Sequence, residues 1–350
     1  MKGIRKISPY IPGEQPSDPT MIKLNTNENP YPPSKNVERA LKAFETDQLK
    51  RYSSVDNVAL KQALAAKHNL TPENFLIGNG SDEVLAFCFL AFFNSSDPIL
   101  FPDITYGFYK VWADLFKIPF KEIVLGKDFD INLNDYLQSN GGILFANPNA
   151  PTGIVKPLIE IKQLLKQNQD VIVIVDEAYI DFGGESAVML LAEFPNLIII
   201  RTFSKSSSLA GLRVGYAIGN PKYIRIAESI KASFNPYSVD SIAETLAIAS
   251  VDDTEYYESV TQKICATRDW FSEQLKTLGF QFLPSKTNFL LVSHPNLAIE
   301  ELYNYLVSHN VYVRYFPTVE RLKNYLRISI GTQAEMETVV NLFKEFTDYI

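Results

Sequence analysis

Short unbroken apolar runs alternate with helix-spaced stretches through the first two-thirds of the chain, and this constrains the fold more than any other feature. The runs fall at 75–77, 98–101, 122–125, 142–146, 171–175, 197–202 and 214–218. Between and before them, helical spacing predicts helices at 35–46, 57–68, from Ser81 onward, near 106–116, and at 157–167 and 185–194. Continuous runs, unlike alternating ones, suit strands covered on both faces. Strand and helix in alternation predict an α/β fold: a mostly parallel, doubly wound sheet with helices on both faces. In such sheets, ligands bind beyond the carboxyl ends of the strands.

After about residue 236 the pattern changes. Helices at 238–251 and 254–278 follow one another, then a strand at 288–292, a helix at 298–308, strands at 311–316 and 325–330, and a last helix at 334–348. This predicts a smaller α+β domain. A length of 350 residues is consistent with two domains. The expected division is an N-terminal arm over 1–35 joining the small domain, a large domain over 36–245 and a small one over 246–350. The arm is rich in Pro, Asn and Ser and reads as having little regular structure.

The net charge of −7 argues against a general affinity for nucleic acid or anionic membrane, which need basic surfaces. Two cysteines, Cys88 and Cys265, make no disulfide framework, and His68, His294 and His309 are too scattered for a zinc site, so no metal is expected. The opening residues lack the apolar stretch of a signal peptide, and the longest apolar run, 84–93, is about half a membrane span. The expectation is a soluble cytoplasmic protein.

The strand ends carry the chemistry. Asp176 directly follows a buried run, where an acid either caps the next segment or meets a buried cation; Tyr179 lies three residues on. Ser204-Lys205 falls just past the next run among small residues, where a partly desolvated lysine becomes a nucleophile for carbonyl groups. Its bland alternative is a solvated surface lysine. Arg213 follows before another strand. Asp176 and Lys205 are one strand–helix–strand unit apart, which places both above adjacent strands. Gly78-Asn79-Gly80-Ser81-Asp82 joins a strand to a helix, and such a turn either only reverses the chain or offers N–H groups to an anion such as phosphate. Asn147-Pro148-Asn149-Ala150-Pro151-Thr152-Gly153 is a rigid turn, and Tyr106 after a fourth strand offers an aromatic face.

In this order the motifs resemble those of the fold-type I, pyridoxal-phosphate-dependent aminotransferases, over about residues 5–345. The resemblance is strongest to the histidinol-phosphate branch. Its cues are Ser8-Pro9-Tyr10-Ile11-Pro12-Gly13, Leu24-Asn25-Thr26-Asn27-Glu28-Asn29-Pro30, Arg51-Tyr52, and Tyr325-Leu326-Arg327-Ile328-Ser329-Ile330-Gly331-Thr332. It implies that Lys205 holds pyridoxal 5'-phosphate as a Schiff base and shuttles the substrate proton. It further implies that Asp176 pairs with the pyridinium nitrogen, Tyr179 bonds the phenolic oxygen and Tyr106 stacks on the ring. Gly80, Ser81, Asp82 (through its backbone N–H), Ser204 and Arg213 would surround the phosphate. Tyr52 would reach it from the partner subunit of a homodimer with a shared site. Tyr10, Asn27, Arg314 and Arg327 would bind substrate, with Arg327 gripping the glutamate carboxylate through a bidentate pair.

One position departs from the pattern. Most relatives carry asparagine directly before Pro-Thr-Gly, where this chain has Ala150; Asn149 is the expected replacement. The implied activity is transamination between L-histidinol phosphate and 2-oxoglutarate, giving imidazole acetol phosphate and L-glutamate, in histidine biosynthesis. Alternatives are an aromatic or broad-range aminotransferase, a pyridoxal-phosphate lyase or decarboxylase, and a non-catalytic sensor of the same fold.

Overall fold

A computed structural model describes residues 3–349 apart from Pro12, Ser17 and Pro19, and Tyr349 by its backbone alone. Pro12 of the opening motif therefore lies outside the described residues.

The chain opens with strand β1 (Ile22–Leu24), then helices α1 (Lys35–Ala43) and α2 (Val58–His68). Strand β2 (Phe75–Asn79) runs straight into α3 (Gly80–Phe92), followed by β3 (Ile99–Pro102), α4 (Phe108–Phe116), β4 (Phe120–Ile123) and β5 (Gly142–Ala146). Then come α5 (Leu158–Gln167), β6 (Val173–Asp176), β7 (Leu197–Thr202), β8 (Val214–Gly219) and α6 (Pro221–Phe234). The remainder is α7 (Ser241–Val251), α8 (Thr254–Thr277), β9 (Gln281–Phe282), β10 (Phe289–Ser293), α9 (Ile299–Ser308), β11 (Val311–Tyr315), β12 (Leu326–Ser329) and α10 (Gln333–Tyr349).

Seven strands form the large sheet in the order β2-β8-β7-β6-β5-β3-β4, parallel throughout except that β8 runs against both its neighbours. Successive side chains of a strand point to opposite faces. Accordingly Val173, Val175, Leu197 and Ile199 enter one apolar core, while Ile174, Ile198 and Ile200 enter the core on the other face. Both faces are covered, as the unbroken runs predict. A second sheet, β1-β11-β12-β10-β9, packs with α8, α9 and α10 around a third core that includes Phe271, Phe289, Leu302 and Phe343.

Besides the short strand β9, three details differ from the sequence reading. The arm contributes a strand: β1 pairs in parallel with β11, Ile22 opposite Val311, so residues distant in sequence share the small sheet. At 185–194 only a short 3₁₀ turn forms, Ala187–Leu190. Gly183-Gly184 and Pro195 bracket that segment, and Glu177 accepts the Ala187 N–H at 2.6 Å, which holds its start against the sheet edge. Helix α6 is additional; its start is marked by Pro221 at the first position and by Asn220, whose side chain caps the Lys222 N–H at 3.0 Å.

Candidate active site

The reversed strand β8 decides which residues meet. Parallel strands β5, β6 and β7 all end on one edge of the sheet, and an antiparallel neighbour begins there. The loop from β7 to β8 therefore keeps Ser204, Lys205 and Arg213 on that edge. Register places Asn79, the last residue of β2, opposite Val214, so the start of α3 joins them.

Asp176 ends β6 and is buried. Its Oδ2 accepts from Tyr109 Oη at 2.7 Å and its Oδ1 from the Ala178 N–H at 3.1 Å. Burial pushes its carboxyl up to about 6, against those two hydrogen bonds. Among the described residues no cation forms an ion pair with it. Of the two sequence readings, the local turn bond has its counterpart in the Ala178 contact, and no buried cation meets the acid among the described residues.

Lys205 is half-buried. Its Nζ donates to the Thr26 carbonyl at 3.1 Å and lies 5.6 Å from the centre of the Tyr179 ring. The main chain of its loop is held by Asn29, whose Nδ2 donates to the Lys205 and Ser206 carbonyls at 3.1 and 3.2 Å. Tyr179 sits edge-on to Phe289, and its Oη accepts from Asn27 Nδ2 at 2.8 Å.

At the start of α3, Gly80 has φ of +81°, and a Cβ there would meet Arg213 Nη2 at 2.6 Å. A Cβ on Gly215 would meet the Ser81 nitrogen at 2.3 Å, so the helix start packs directly on β8. Arg213 bonds Asp82 Oδ2 at 3.0 Å and lies 3.4 Å from Ser204 Oγ. Asp82 also accepts from Tyr106 Oη at 2.7 Å. The Asp82 carboxylate thus competes with any anion for Arg213. Tyr106 stands perpendicular to Tyr109, and Tyr10 stacks on Phe108 beside it with ring centres 4.3 Å apart.

Arg314 and Arg327 are direct cross-strand partners in β11 and β12. Arg327 donates to the Asn25 carbonyl at 2.9 Å and lies over Phe289; Arg314 donates to the Ile11 carbonyl at 3.1 Å and lies over Phe316. Burial draws the Arg327 guanidinium below the ordinary arginine range, and Arg314 adds to this.

Two expected residues stand apart. Asn149 is buried but turned into its own loop: Oδ1 accepts from Thr105 Oγ1 at 2.8 Å, and Nδ2 donates to the Ile104 carbonyl and to Thr152 Oγ1. Both Nδ2 hydrogens are thus engaged within the loop. Tyr52 is 82% exposed and stacks on Tyr237, with centres 4.6 Å apart, rather than joining the groups above. Sequence reading missed Tyr109, Thr26 and Asn29. Tyr109 follows Tyr106 by three residues across a helix start, a spacing that puts both on one face. A cavity of about 340 Å³ opens behind the lysine loop, between Ser206, Arg201, His68 and α8. It is lined by neither Lys205 nor Asp176, so it is not where these groups converge.

A family profile described as aminotransferase class I and II matches residues 19–343. The chain belongs to this family. The aminotransferase is 48% identical to the histidinol-phosphate aminotransferase of Lactococcus lactis subsp. cremoris (strain MG1363) over 343 residues, 98% of this chain and 96% of that one. It is 47% identical to the enzyme of the same name from Acinetobacter baylyi over 346 residues, again 98% and 96%. Among solved structures it superposes on the histidinol-phosphate aminotransferase of Sinorhizobium meliloti in complex with pyridoxal-5'-phosphate. There the TM-score is 0.86 at 25% identity, covering 94% of this chain and 91% of that one. The Clostridium acetobutylicum enzyme gives 0.87 at 25% identity, with coverage of 94% and 100%. Among the described residues of the aminotransferase no helix is long and apolar enough to cross a membrane.

Proposed function

We propose that this aminotransferase moves the amino group of L-histidinol phosphate to 2-oxoglutarate, giving imidazole acetol phosphate and L-glutamate, with pyridoxal 5'-phosphate as cofactor and a homodimer as the working unit. The residues at the sheet edge fit that cofactor. A buried acid without a cation, Asp176, suits a protonated ring nitrogen, and the Gly80–Ser81 helix start with Ser204 and Arg213 suits a phosphate. When bound, pyridoxal phosphate supplies a carbonyl carbon that takes up and releases amino groups and a ring that accepts an electron pair. Lys205 Nζ would remove and return the proton at the substrate α-carbon. Asp176 would keep the ring nitrogen protonated, Tyr179 would donate its hydroxyl toward the ring oxygen, and Tyr106 would cover the ring.

The observation that favours these substrates is the Arg314–Arg327 pair. Two guanidinium groups held on facing strands suit a donor carrying a phosphate and an acceptor carrying a second carboxylate. Tyr10 completes the proposed substrate residues, whereas the amide of Asn27 is taken up by Ser329 and Tyr179. Replacing Arg327 should slow both half-reactions. Arg314→Gln should slow the reaction with histidinol phosphate by about 10–150-fold, and glutamate less, as expected for one lost charge-assisted hydrogen bond. Single-turnover absorbance with each donor separately tests this. Equal losses would remove the phosphate-specific role of Arg314, and a wild-type preference for phenylalanine would replace this reading with an aromatic aminotransferase.

A further inference from the structure

Asn27 belongs to the arm, not to the sheet that carries Lys205, yet it is 1% exposed and adopts a left-handed backbone with φ of 58°. Asparagine tolerates that conformation better than most residues. The conformation lets both ends of its side chain bond at once. The Asn27 N–H donates to Ser329 Oγ at 2.9 Å, so the Ser329 hydroxyl proton is directed elsewhere, to Asn27 Oδ1 at 3.0 Å. With Oδ1 accepting, Nδ2 is the donor toward Tyr179 Oη at 2.8 Å. The Asn27 carbonyl is fixed in turn by Asn288 Nδ2 at 3.0 Å.

We propose that Asn27 is a positioning residue whose amide sets the direction of the Tyr179 hydroxyl proton. The chain Ser329 O–H to Asn27 Oδ1, then Asn27 N–H to Tyr179 Oη, fills an acceptor site of the phenol and leaves its own O–H proton free to be donated. Among the described residues Tyr179 Oη makes no other hydrogen bond. The consequence is larger here than where an asparagine precedes Pro-Thr-Gly. Ala150 offers no donor and Asn149 is engaged in its own loop, so of these residues only Tyr179 can donate to the ring oxygen. This rests on the cofactor reading above, in which Tyr179 faces that oxygen.

The test exploits polarity rather than bulk. Asn27→Ala removes the donor but lets Tyr179 still give its proton away. Asn27→Asp keeps the shape but can only accept when ionised, so it captures the Tyr179 proton. The readout is the pH midpoint of the bound cofactor's visible absorption change in holoenzyme, recorded without substrate. A donor to the ring oxygen drains its negative charge and weakens its hold on the neighbouring nitrogen's proton. Losing that donor therefore raises the midpoint, by roughly one pH unit for one such bond. Asn27→Asp should match Tyr179→Phe, Asn27→Ala should shift less, and Asn27→Asp should add nothing in the Tyr179→Phe background. If Asn27→Asp folds poorly, Ser329→Ala, which frees the amide to turn over, should raise the midpoint in the same direction. Equal midpoints for Asn27→Ala and Asn27→Asp, or an unmoved Ser329→Ala, would overturn the role of Asn27 while leaving the cofactor reading intact. An unmoved Tyr179→Phe would overturn the placement of Tyr179 itself, and this inference with it.

Discussion

Asp176 illustrates how a single buried carboxyl can oppose stability while suiting the proposed chemistry. Its carboxyl is raised to about 6 in the fold against an ordinary value of 3.8. Between those values the unfolded chain has released the proton and the folded apoprotein has not, so raising the pH favours unfolding. Above about pH 6 the whole penalty is present, on the order of 2–3 kcal/mol. Asp176→Asn should therefore melt higher than wild-type apoprotein at pH 7–8. The gap should shrink as pH falls from about 6 to about 4 and vanish below, in paired thermal melts across that range. The same variant should lose most transaminase activity, since an amide does not hold a cation. Lys205→Ala should fold, losing one hydrogen bond to Thr26 worth about 1 kcal/mol, and show no turnover with any amino donor. These two positions stood out in the sequence because Asp176 directly follows an unbroken apolar run and Lys205 lies just past the next one, among small residues. Tyr109 was not, because nothing in its own neighbourhood distinguishes an aromatic that bonds an acid from one that only packs.

At the scale of elements, the ends of β6 and β7 are joined by charge. Arg201 of β7 faces Glu177 and Asp181, with contacts of 2.9 and 3.0 Å. The Arg201 Nε contact to Glu177 lies off the hydrogen-bond direction, so it is chiefly coulombic. Asp181 also accepts from Ser206 Oγ, next to Lys205. Glu177 is fully buried, so Arg201→Met would leave it without its counter-charge and should cost about 3–5 kcal/mol, read from urea unfolding. Strand periodicity gave no sign of this cluster. Arg201 follows the apolar run of β7 and looks like a residue turning toward water; only the pairing of β6 with β7 brings the acids to it. Periodicity did reveal the strands of both sheets, apart from β1 and β9. Those two are short, and β1 is held in place by β11, some 290 residues further on, which no local pattern records.

For the whole molecule, the exposed Tyr52 ring bears on the proposed homodimer. A tyrosine that contributes nothing to the groups around its own Lys205 is available to those of a second copy. Mixed and re-equilibrated Lys205→Ala and Tyr52→Phe proteins should yield heterodimers with one intact composite site. Their activity should exceed that of either parent. No recovery, with subunit exchange and damage by Tyr52→Phe both verified, would count against a shared site. The large sheet and its doubly covered core could be anticipated from the order of apolar runs. The way the arm grips the lysine loop could not, since it depends on contacts between residues about half the chain apart.

The contact of the arm with the last strand, β12, has a consequence in time. Asn27 and its partner Ser329 are 302 positions apart. At synthesis rates of roughly 5–20 residues per second, the first leaves the ribosome about 15–60 s before the second. For the last part of that interval, roughly 6–25 s at those rates, Lys205 can already lie at the edge of a folded sheet while its neighbour Tyr179 lacks the serine that orients its partner Asn27. Completion of the site is thereby tied to the arrival of the last strand, so a growing chain acquires its full chemistry only when it is nearly finished.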